Sequence, residues 1–407
     1  MAMKTAAIIT EYNPFHNGHK YQIDSLRKLI GEDTAVIAIM SGNFTQRGEL
    51  AVTDKTVRAR AAVDSGVNLV LELPFPYSMS SAEFFASAGV HIANSLGVVD
   101  YLVFGSESGE ADTLTEIARN MLSEEFKQAF RENEAAPENA NLGYPKLCEI
   151  AYNTLFKNQV TKETFSPNNI LAIEYIKALI RESSAIVPLT IKREGAGYND
   201  LLKENQKFQS ATAIRGLIYK NDSSAYDYMP KSATQAYIDA IKAGKCPSFE
   251  TRLDSAVISH LRLSSPSVDT EIHDALGGLY NRLLGASSQT NSISSLTSMT
   301  ETKKYTSARI RRAMWNSFFG VTSSDVRTLP AYTQVLALDS IGRSLLKRIK
   351  KMSDFTVITK PSSYLTASDE VIRQKELSNK ADSIFALTFD SPLSSGFALS
   401  FTPYVKK

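Results

Sequence analysis

The sequence predicts an α/β protein, a doubly wound parallel sheet followed by a mainly helical C-terminal part. Three observations carry this. Short runs rich in Val, Ile and Leu alternate with helical stretches through the first 220 residues, and the alternation fades after about residue 225, where helical and Ser-rich segments take over. The composition, 43% hydrophobic and 22% charged with 20 Gly and 14 Pro in 407 residues, is that of a globular chain rather than a disordered one. At this length two units are expected, 1–225 and 226–407, each long enough to bury its own core.

The elements follow in order. Strands are expected at Thr5–Thr10, 35–40 ("AVIAIM"), 67–73 ("VNLVLEL"), 101–104 ("YLVF") and 185–192 ("AIVPLTIK"), each apolar on both parities, as strands covered on both faces must be. Helices fall between them near 19–30, 54–65, 80–96, 112–130, 145–158 and 169–182. The βαβα order implies parallel pairing and places a ligand beyond the carboxyl ends of the strands, where the strand order reverses. Later segments 234–243, 268–285, 305–319 and 340–351 read as helices, with 285–298 ("GASSQTNSISSLTS") a connection and further strands at 355–359 and 384–388.

Several classes are excluded or disfavoured. Cys148 and Cys246 lie far apart and outside any C-x-x-C spacing, so no disulfide framework or structural zinc site is expected. The N-terminal apolar run is too short for a signal-peptide core and no window holds 18 apolar residues, so a cytoplasmic protein is expected, with no membrane partner. Net charge is only +2, yet residues 1–120 hold 9 Lys/Arg against 14 Asp/Glu while 301–360 hold 12 against 4. Such a concentration attracts polyanions.

The chemistry centres on "TEYNPFHNGHK", residues 10–20, at the first strand-to-helix junction. Backbone N–H groups at a helix N-terminus there offer an anion site, and Gly18 permits close approach. His16 and His19 flank it, positioned to donate hydrogen bonds to phosphoryl oxygens as charge builds during attack at an α-phosphorus. No third ligand at suitable spacing makes them a metal pair. Asn43, Gln46 and Arg47 follow the second strand, Gly105 and Ser106 end the fourth, and "SPNN" opens a helix with Ser166 and Asn168 as capping or contact residues. Lys192 and Arg193 end the fifth strand, and "SATAIR" (210–215) puts Ser210 and Thr212 before a helix bearing Arg215.

"EYNPFHNGH" resembles the H-x-G-H motif of the nucleotidylyltransferase superfamily, in the extended form found in bacterial tRNA(Met) cytidine acetate ligases. The likeness continues through "MSGNFTQRGE", "ELPFPYS", "FGSE", "SPNNILAIEY", "KREGAGYND", "SATAIR", "YTSARIRRAMW" and "VITKPS", most of the chain. It implies a Rossmann-like catalytic domain over 1–225 and a tRNA-binding domain over 226–407. It further implies a ligase that joins acetate to ATP, giving acetyl-adenylate, and passes the acetyl group to N4 of the wobble cytidine of elongator tRNA(Met). On this likeness His16 and His19 are catalytic, and ATP is bound by Ile9, Thr10, Glu11, Tyr12, Asn13, Pro14, Phe15, Asn17, Gly18, Gly105, Ser106, Asn168, Arg193, Ser210, Thr212 and Arg215. "SATAIR" is similar to the superfamily's I-S-S-T-x-I-R phosphate motif, with Gln209 and Ala211 as departures. Mg²⁺ is expected to accompany ATP, without a protein cage.

The basic set Lys303, Lys304, Arg309, Arg311, Arg312, Arg343, Lys347, Arg348, Lys350 and Lys351, with Tyr305 and Trp315 among it, is expected to track RNA phosphates and stack an unpaired base. "KMSDF" (351–355) lacks the second Lys of a synthetase K-M-S-K-S loop and is set aside. His91, His260 and His273 receive no role. The alternative reading is an adenylyltransferase acting on a small phosphate-bearing cofactor precursor, which leaves the basic half idle; a non-catalytic RNA-binding protein is disfavoured by the histidine pair.

Overall fold

The computed structural model describes residues 3–156, 160–161, 163–193, 208–265, 271–396 and 401–407. Among them eight strands form one sheet: β1 (Thr5–Thr10), β2 (Ala35–Ser41), β3 (Leu69–Leu73), β4 (Tyr101–Ser106), β5 (Val187–Lys192), β6 (Tyr332–Leu338), β7 (Thr356–Ile358) and β8 (Tyr404–Val405). Their order is β5-β4-β1-β2-β3-β6-β7, with β8 also paired to β6. Strands β1 to β5 are mutually parallel, β6 runs antiparallel to β3, and β7 and β8 are parallel to β6.

The double winding follows from the two-residue period of the strands. Ala7 and Ile9 of β1 with Ile37 and Ile39 of β2 pack under the helices Ala82–Ser95, Ala111–Leu122 and Pro167–Arg181. The alternate residues Ala6, Ile8, Val36 and Ala38 face Asn17–Ile30, Lys55–Asp64, Ala211–Tyr219 and Lys231–Lys242. Both faces are covered, so nearly every residue of these strands is apolar and buried. The chain winds from β1 out to β3 and then returns to β4 on the other side of β1. The reversal opens a crevice beyond the carboxyl ends of β1 and β4.

The five N-terminal strands lie where the sequence predicts them; the C-terminal half differs in several places. Residue 225 is no break in packing, because Leu217, Met229, Tyr237, Leu336 and Ala337 share one core with Ile8 and Val36. A third core belongs to the helices between 253 and 326, and Phe44 and Phe75 plug it from the loops after β2 and β3. Strand β6 has no counterpart among the expected elements. The segment 384–388 is no strand but the end of the helix Asp369–Phe385 and a following turn. Within the Ser-rich connection, Ser292 accepts the N–H of Ser295 and starts the helix Ile293–Thr300. Helix 112–130 is two, split at Ser123, whose hydroxyl caps the second. Of the expected helix 268–285 only Leu279–Ser287 is formed among the described residues, and 266–270 lie outside them.

Candidate active site

Strand β1 ends in a loop that is pinned from several sides. Asn13 Oδ1 accepts the Val52 N–H at 2.8 Å, Phe15 N–H donates to the Tyr237 hydroxyl at 3.0 Å, and fully buried Arg58 donates to the carbonyls of Glu11 (2.6 Å), Ser41 (3.2 Å) and Thr53 (3.2 Å). Arg215 donates to the carbonyl of Asn13 at 2.9 Å while pairing with Glu49 at 3.0 Å. One guanidinium thus holds the loop from each neighbouring helix.

The histidines cap the helix Asn17–Ile30 reciprocally. His16 Nδ1 accepts the Gly18 N–H (3.1 Å) and His19 Nδ1 accepts the His16 N–H (3.2 Å), a capping box built from imidazoles. The rings stack with centroids 3.8 Å apart, and His19 also meets the edge of Tyr12 at 4.8 Å. Burial lowers the His16 pKa to about 3, helped by the charges of Arg193 and Arg215; burial, then His16 and Arg193, lower that of His19. Both rings are therefore neutral, and since each Nδ1 accepts a backbone proton, each Nε2 carries the hydrogen. The pair is a double donor without net charge. The glycine of the motif has a local cause: a Cβ on Gly18 would sit 2.9 Å from His16 Cε1.

The histidines line a cavity of about 240 Å³ at the strand-order reversal. Its wall takes Ile9, Thr10, Glu11, Tyr12, Asn13 and Gly18 from the first junction, Gly105 from β4, Asn168 from the helix Pro167–Arg181, Arg193 after β5, and Ser210 before the helix Ala211–Tyr219. Twelve of the 18 expected catalytic and ATP-contact residues are thus brought together. Pro14, Phe15, Asn17, Ser106, Thr212 and Arg215 do not line it. Phe15 is core, Asn17 donates to the Asp227 carbonyl (3.3 Å), Ser106 bonds Thr190 (2.6 Å), and Thr212 accepts from Arg215 (3.2 Å). They brace the wall from behind.

Sequence reasoning passes over some residues. Glu107 accepts from Asn168 Nδ2 (2.6 Å) and from the backbone of Asn169 (3.0 Å), capping the helix whose expected cap is Ser166. Tyr21, Phe85, Leu171, Tyr175 and Phe208 supply the apolar wall. Their signal, an apolar helix face for all but Phe208, which precedes the helix Ala211–Tyr219, is indistinguishable from core in a lone sequence. Gln46, Arg47 and Lys192 also line the cavity, whereas 194–200 of "KREGAGYND" lie outside the described residues. Burial raises the pKa of Glu11, against the Gln46 N–H on its Oε1 (2.9 Å) and the charges of Arg215 and Arg47.

The basic set separates into two groups. Arg311 donates to the Gly48 carbonyl (3.2 Å) and pairs with Glu250; Arg312 donates to the Gln46 carbonyl (3.4 Å) and pairs with Asp274; Arg309 donates to the carbonyls of Asp274 and Leu276 (both 3.2 Å). Trp315 is fully buried and Tyr305 nearly so, which removes them as stacking surfaces. Lys303 and Lys304 are exposed. The second group lies on the helix Ser340–Met352, where Arg343, Lys347, Lys350 and Lys351 face solvent and Arg348 donates to Met3 and Thr5. That places it toward the amino end of β1, away from the cavity.

His91, His260 and His273 do not line the cavity, the two cysteines are free and buried, and no cluster of three potential metal ligands occurs among the described residues. No described helix is long and apolar enough to cross a membrane.

Known proteins resemble this chain in fold and sequence. The family model described as HIGH Nucleotidyl Transferase matches residues 3–396. A tRNA(Met) cytidine acetate ligase of Acetivibrio thermocellus is 36% identical over 96% of both chains, and one of Caldanaerobacter subterraneus subsp. tengcongensis is 36% identical over 99% of this chain and 100% of its own. The crystal structure of Thermotoga maritima TmcAL bound with alpha-thio ATP superposes with a TM-score of 0.90 at 30% identity, covering 99% of each chain. The apo form of that protein gives 0.91. This chain therefore belongs to the HIGH nucleotidyl transferase family, among the relatives named tRNA(Met) cytidine acetate ligase.

Proposed function

We propose that this protein is an ATP-dependent ligase that activates acetate as acetyl-adenylate and transfers the acetyl group to N4 of the wobble cytidine of elongator tRNA(Met). The observation that carries the reading is the neutral His16–His19 pair, whose Nδ1 atoms are both taken by backbone N–H groups, on the wall of a cavity at the strand-order reversal.

Attack of an acetate oxygen on the α-phosphorus breaks the bond to the bridging oxygen of the departing pyrophosphate and places extra negative charge on the non-bridging oxygens. His16 and His19 donate to those oxygens as neutral N–H groups, and their hydrogen bonds strengthen because the charge on the oxygens grows as the transition state forms. The N-termini of the helices Asn17–Ile30 and Ala211–Tyr219 add partial positive charge, with Ser210 capping the latter by accepting the Ala213 N–H (3.1 Å). Arg193 balances the phosphates, and Gly105 lets it lie close, since a Cβ there would be 3.2 Å from Arg193 Cγ. Arg215 acts indirectly through the carbonyl of Asn13. Glu11 is the one carboxylate lining the cavity among the described residues, so Mg²⁺ would arrive as the counter-ion of ATP, held mainly by phosphate oxygens and water. In the second step N4 of cytosine attacks the acetyl carbonyl, the N–C bond forms as the C–O bond to the phosphate breaks, AMP departs, and N4 gives up one proton to solvent.

The reading assigns RNA contact to the exposed charges of Ser340–Met352 with Lys303 and Lys304, and a cytoplasmic location. The test is ATP–pyrophosphate exchange with and without acetate, followed by nucleoside analysis of tRNA incubated with enzyme, ATP and acetate. Acetate-dependent exchange with N4-acetylcytidine is the expected result; exchange indifferent to acetate refutes it in favour of an adenylyltransferase with another acceptor.

A further inference from the structure

We propose that Arg47 receives the carboxylate of the acid substrate, and that Arg311, Arg312 and Trp315 are the residues that position it. The inference rests on the acetate-activating reading above and names the side chain that takes the acid.

Among the described residues the cavity has two cationic poles. Arg193 stands beside the histidine pair on the β4–β5 side with Gly105 and Asn168, while Arg47 stands on the β2 side, next to Glu11. A nucleotide filling the crevice between β1 and β4 occupies the first pole, so the acid approaches the α-phosphorus from the second. An anionic nucleophile attacking a polyanion needs a cation of its own, and a guanidinium holds a carboxylate by two parallel hydrogen bonds. One arginine beside one carboxylate suits a monoanion better than a pyrophosphate.

The backbone on both sides of Arg47 is fixed. The carbonyl before it, that of Gln46, accepts from Arg312 (3.4 Å); the carbonyl after it, that of Gly48, accepts from Arg311 (3.2 Å) and from Trp315 Nε1 (3.0 Å). The Gln46 N–H donates to Glu11 (2.9 Å), and Glu49 is held by Arg215 (3.0 Å). Gly48 has φ +72°, and a Cβ on it would lie 2.7 Å from Arg311 Cβ and 2.9 Å from Arg312 N, so the turn rests directly on the helix Ser307–Phe319. Such bracing preorganises a side chain that must meet a small ligand at one place. Charges read from the sequence as an RNA surface here build the floor of the acid site.

The experiment measures acetate-dependent ATP–pyrophosphate exchange of the full chain, with KM for acetate and for ATP determined separately. Arg47→Gln is expected to raise the acetate KM roughly 10- to 100-fold, the loss of a charged hydrogen bond, and the ATP KM far less. Trp315→Phe, which keeps an aromatic side chain and removes the Nε1 donor, is expected to move the acetate KM several-fold in the same direction. An ATP KM that rises in step with the acetate KM, or an acetate KM within twofold of the parent, overturns the proposal. Should Arg47→Gln show no exchange at all, calorimetric binding of a non-hydrolysable ATP analogue decides: retained affinity supports the assignment and lost affinity overturns it. Exchange by the parent protein that ignores acetate refutes the underlying function instead.

Discussion

Gly18→Ala separates stability from catalysis at one atom. The added Cβ would stand 2.9 Å from His16 Cε1 and 3.0 Å from its Nδ1, where ordinary contact begins near 3.4 Å, so the ring must retreat by about half an ångström. Retreat weakens the Gly18 N–H to Nδ1 bond, worth about 1 kcal/mol net, while Ala in place of Gly inside a helix returns up to about 1 kcal/mol. Thermal stability should therefore change by no more than a few degrees. Activity should not be spared, because the same movement displaces Nε2–H and disturbs the 3.8 Å stack with His19, and errors approaching 1 Å in a catalytic group cost on the order of 100-fold. The assay is ATP–pyrophosphate exchange at saturating ATP and acetate, beside a melting curve. A variant as active as the parent would mean that the position of His16 is not what the reaction requires. A variant that unfolds would mean that the glycine serves the fold.

Other outcomes follow from the same geometry. Nitrogen-edited NMR of His16 and His19 should show neutral Nε2–H rings with no titration between pH 8 and 5; a change of protonation near the ordinary value of 6.5 would remove the neutral-donor argument. For His16, the unfolded chain takes up a proton between pH 6.5 and about 3 that the folded ring refuses, so its contribution makes stability fall as pH falls through that window and leaves it untouched above; His16→Asn should flatten the slope of melting temperature against pH. Lys55 is buried between Glu72 and Asp382, both at 2.6 Å, and Lys55→Met leaves the two carboxylates without it, at a cost of about 3–5 kcal/mol measurable by urea unfolding. Replacing Arg343, Lys347, Lys350 and Lys351 by Ala should reduce the dependence of log K on log salt for tRNA by up to about 0.7–0.9 for each phosphate no longer neutralised, with exchange intact.

The parts legible in the sequence are those whose cause is local. Strands β1 to β4 are buried on both faces, so their apolar runs stand out, β5 keeps such a run as a half-exposed edge strand, and the H-x-G-H stretch lies where β1 must hand over to a helix. Strand β6 is equally buried but carries Thr333 and Gln334, which break the run; Thr333 bonds the Glu72 carbonyl (2.6 Å), a partner 261 residues away. The helix Ile293–Thr300 hides among serines and threonines because Thr297 and Thr300 satisfy their hydroxyls on Ile293 and Leu296 of the same helix (both 2.8 Å). Glu107 as a cap and Arg215 as a brace depend on residues 62 and 202 positions distant, which no spacing rule reaches.

The basic half shows the same limit with a consequence for RNA. Counting charge over 301–360 treats every arginine as a solvent-facing cation, yet Arg311 and Arg312 are neutralised by Glu250 and Asp274, both outside that window. The field that remains is concentrated on the helix Ser340–Met352, whose Arg348 touches Thr5 at the start of β1. The cavity lies beyond the other end of that strand, which is six residues long, or about 20 Å. A tRNA resting on the exposed helix must reach across that length to present its base. Docking of the tRNA body and delivery of the base then depend on different residues, which is why neutralising that helix should lower tRNA affinity without slowing acetate activation, whereas disturbing Trp315 should do the reverse.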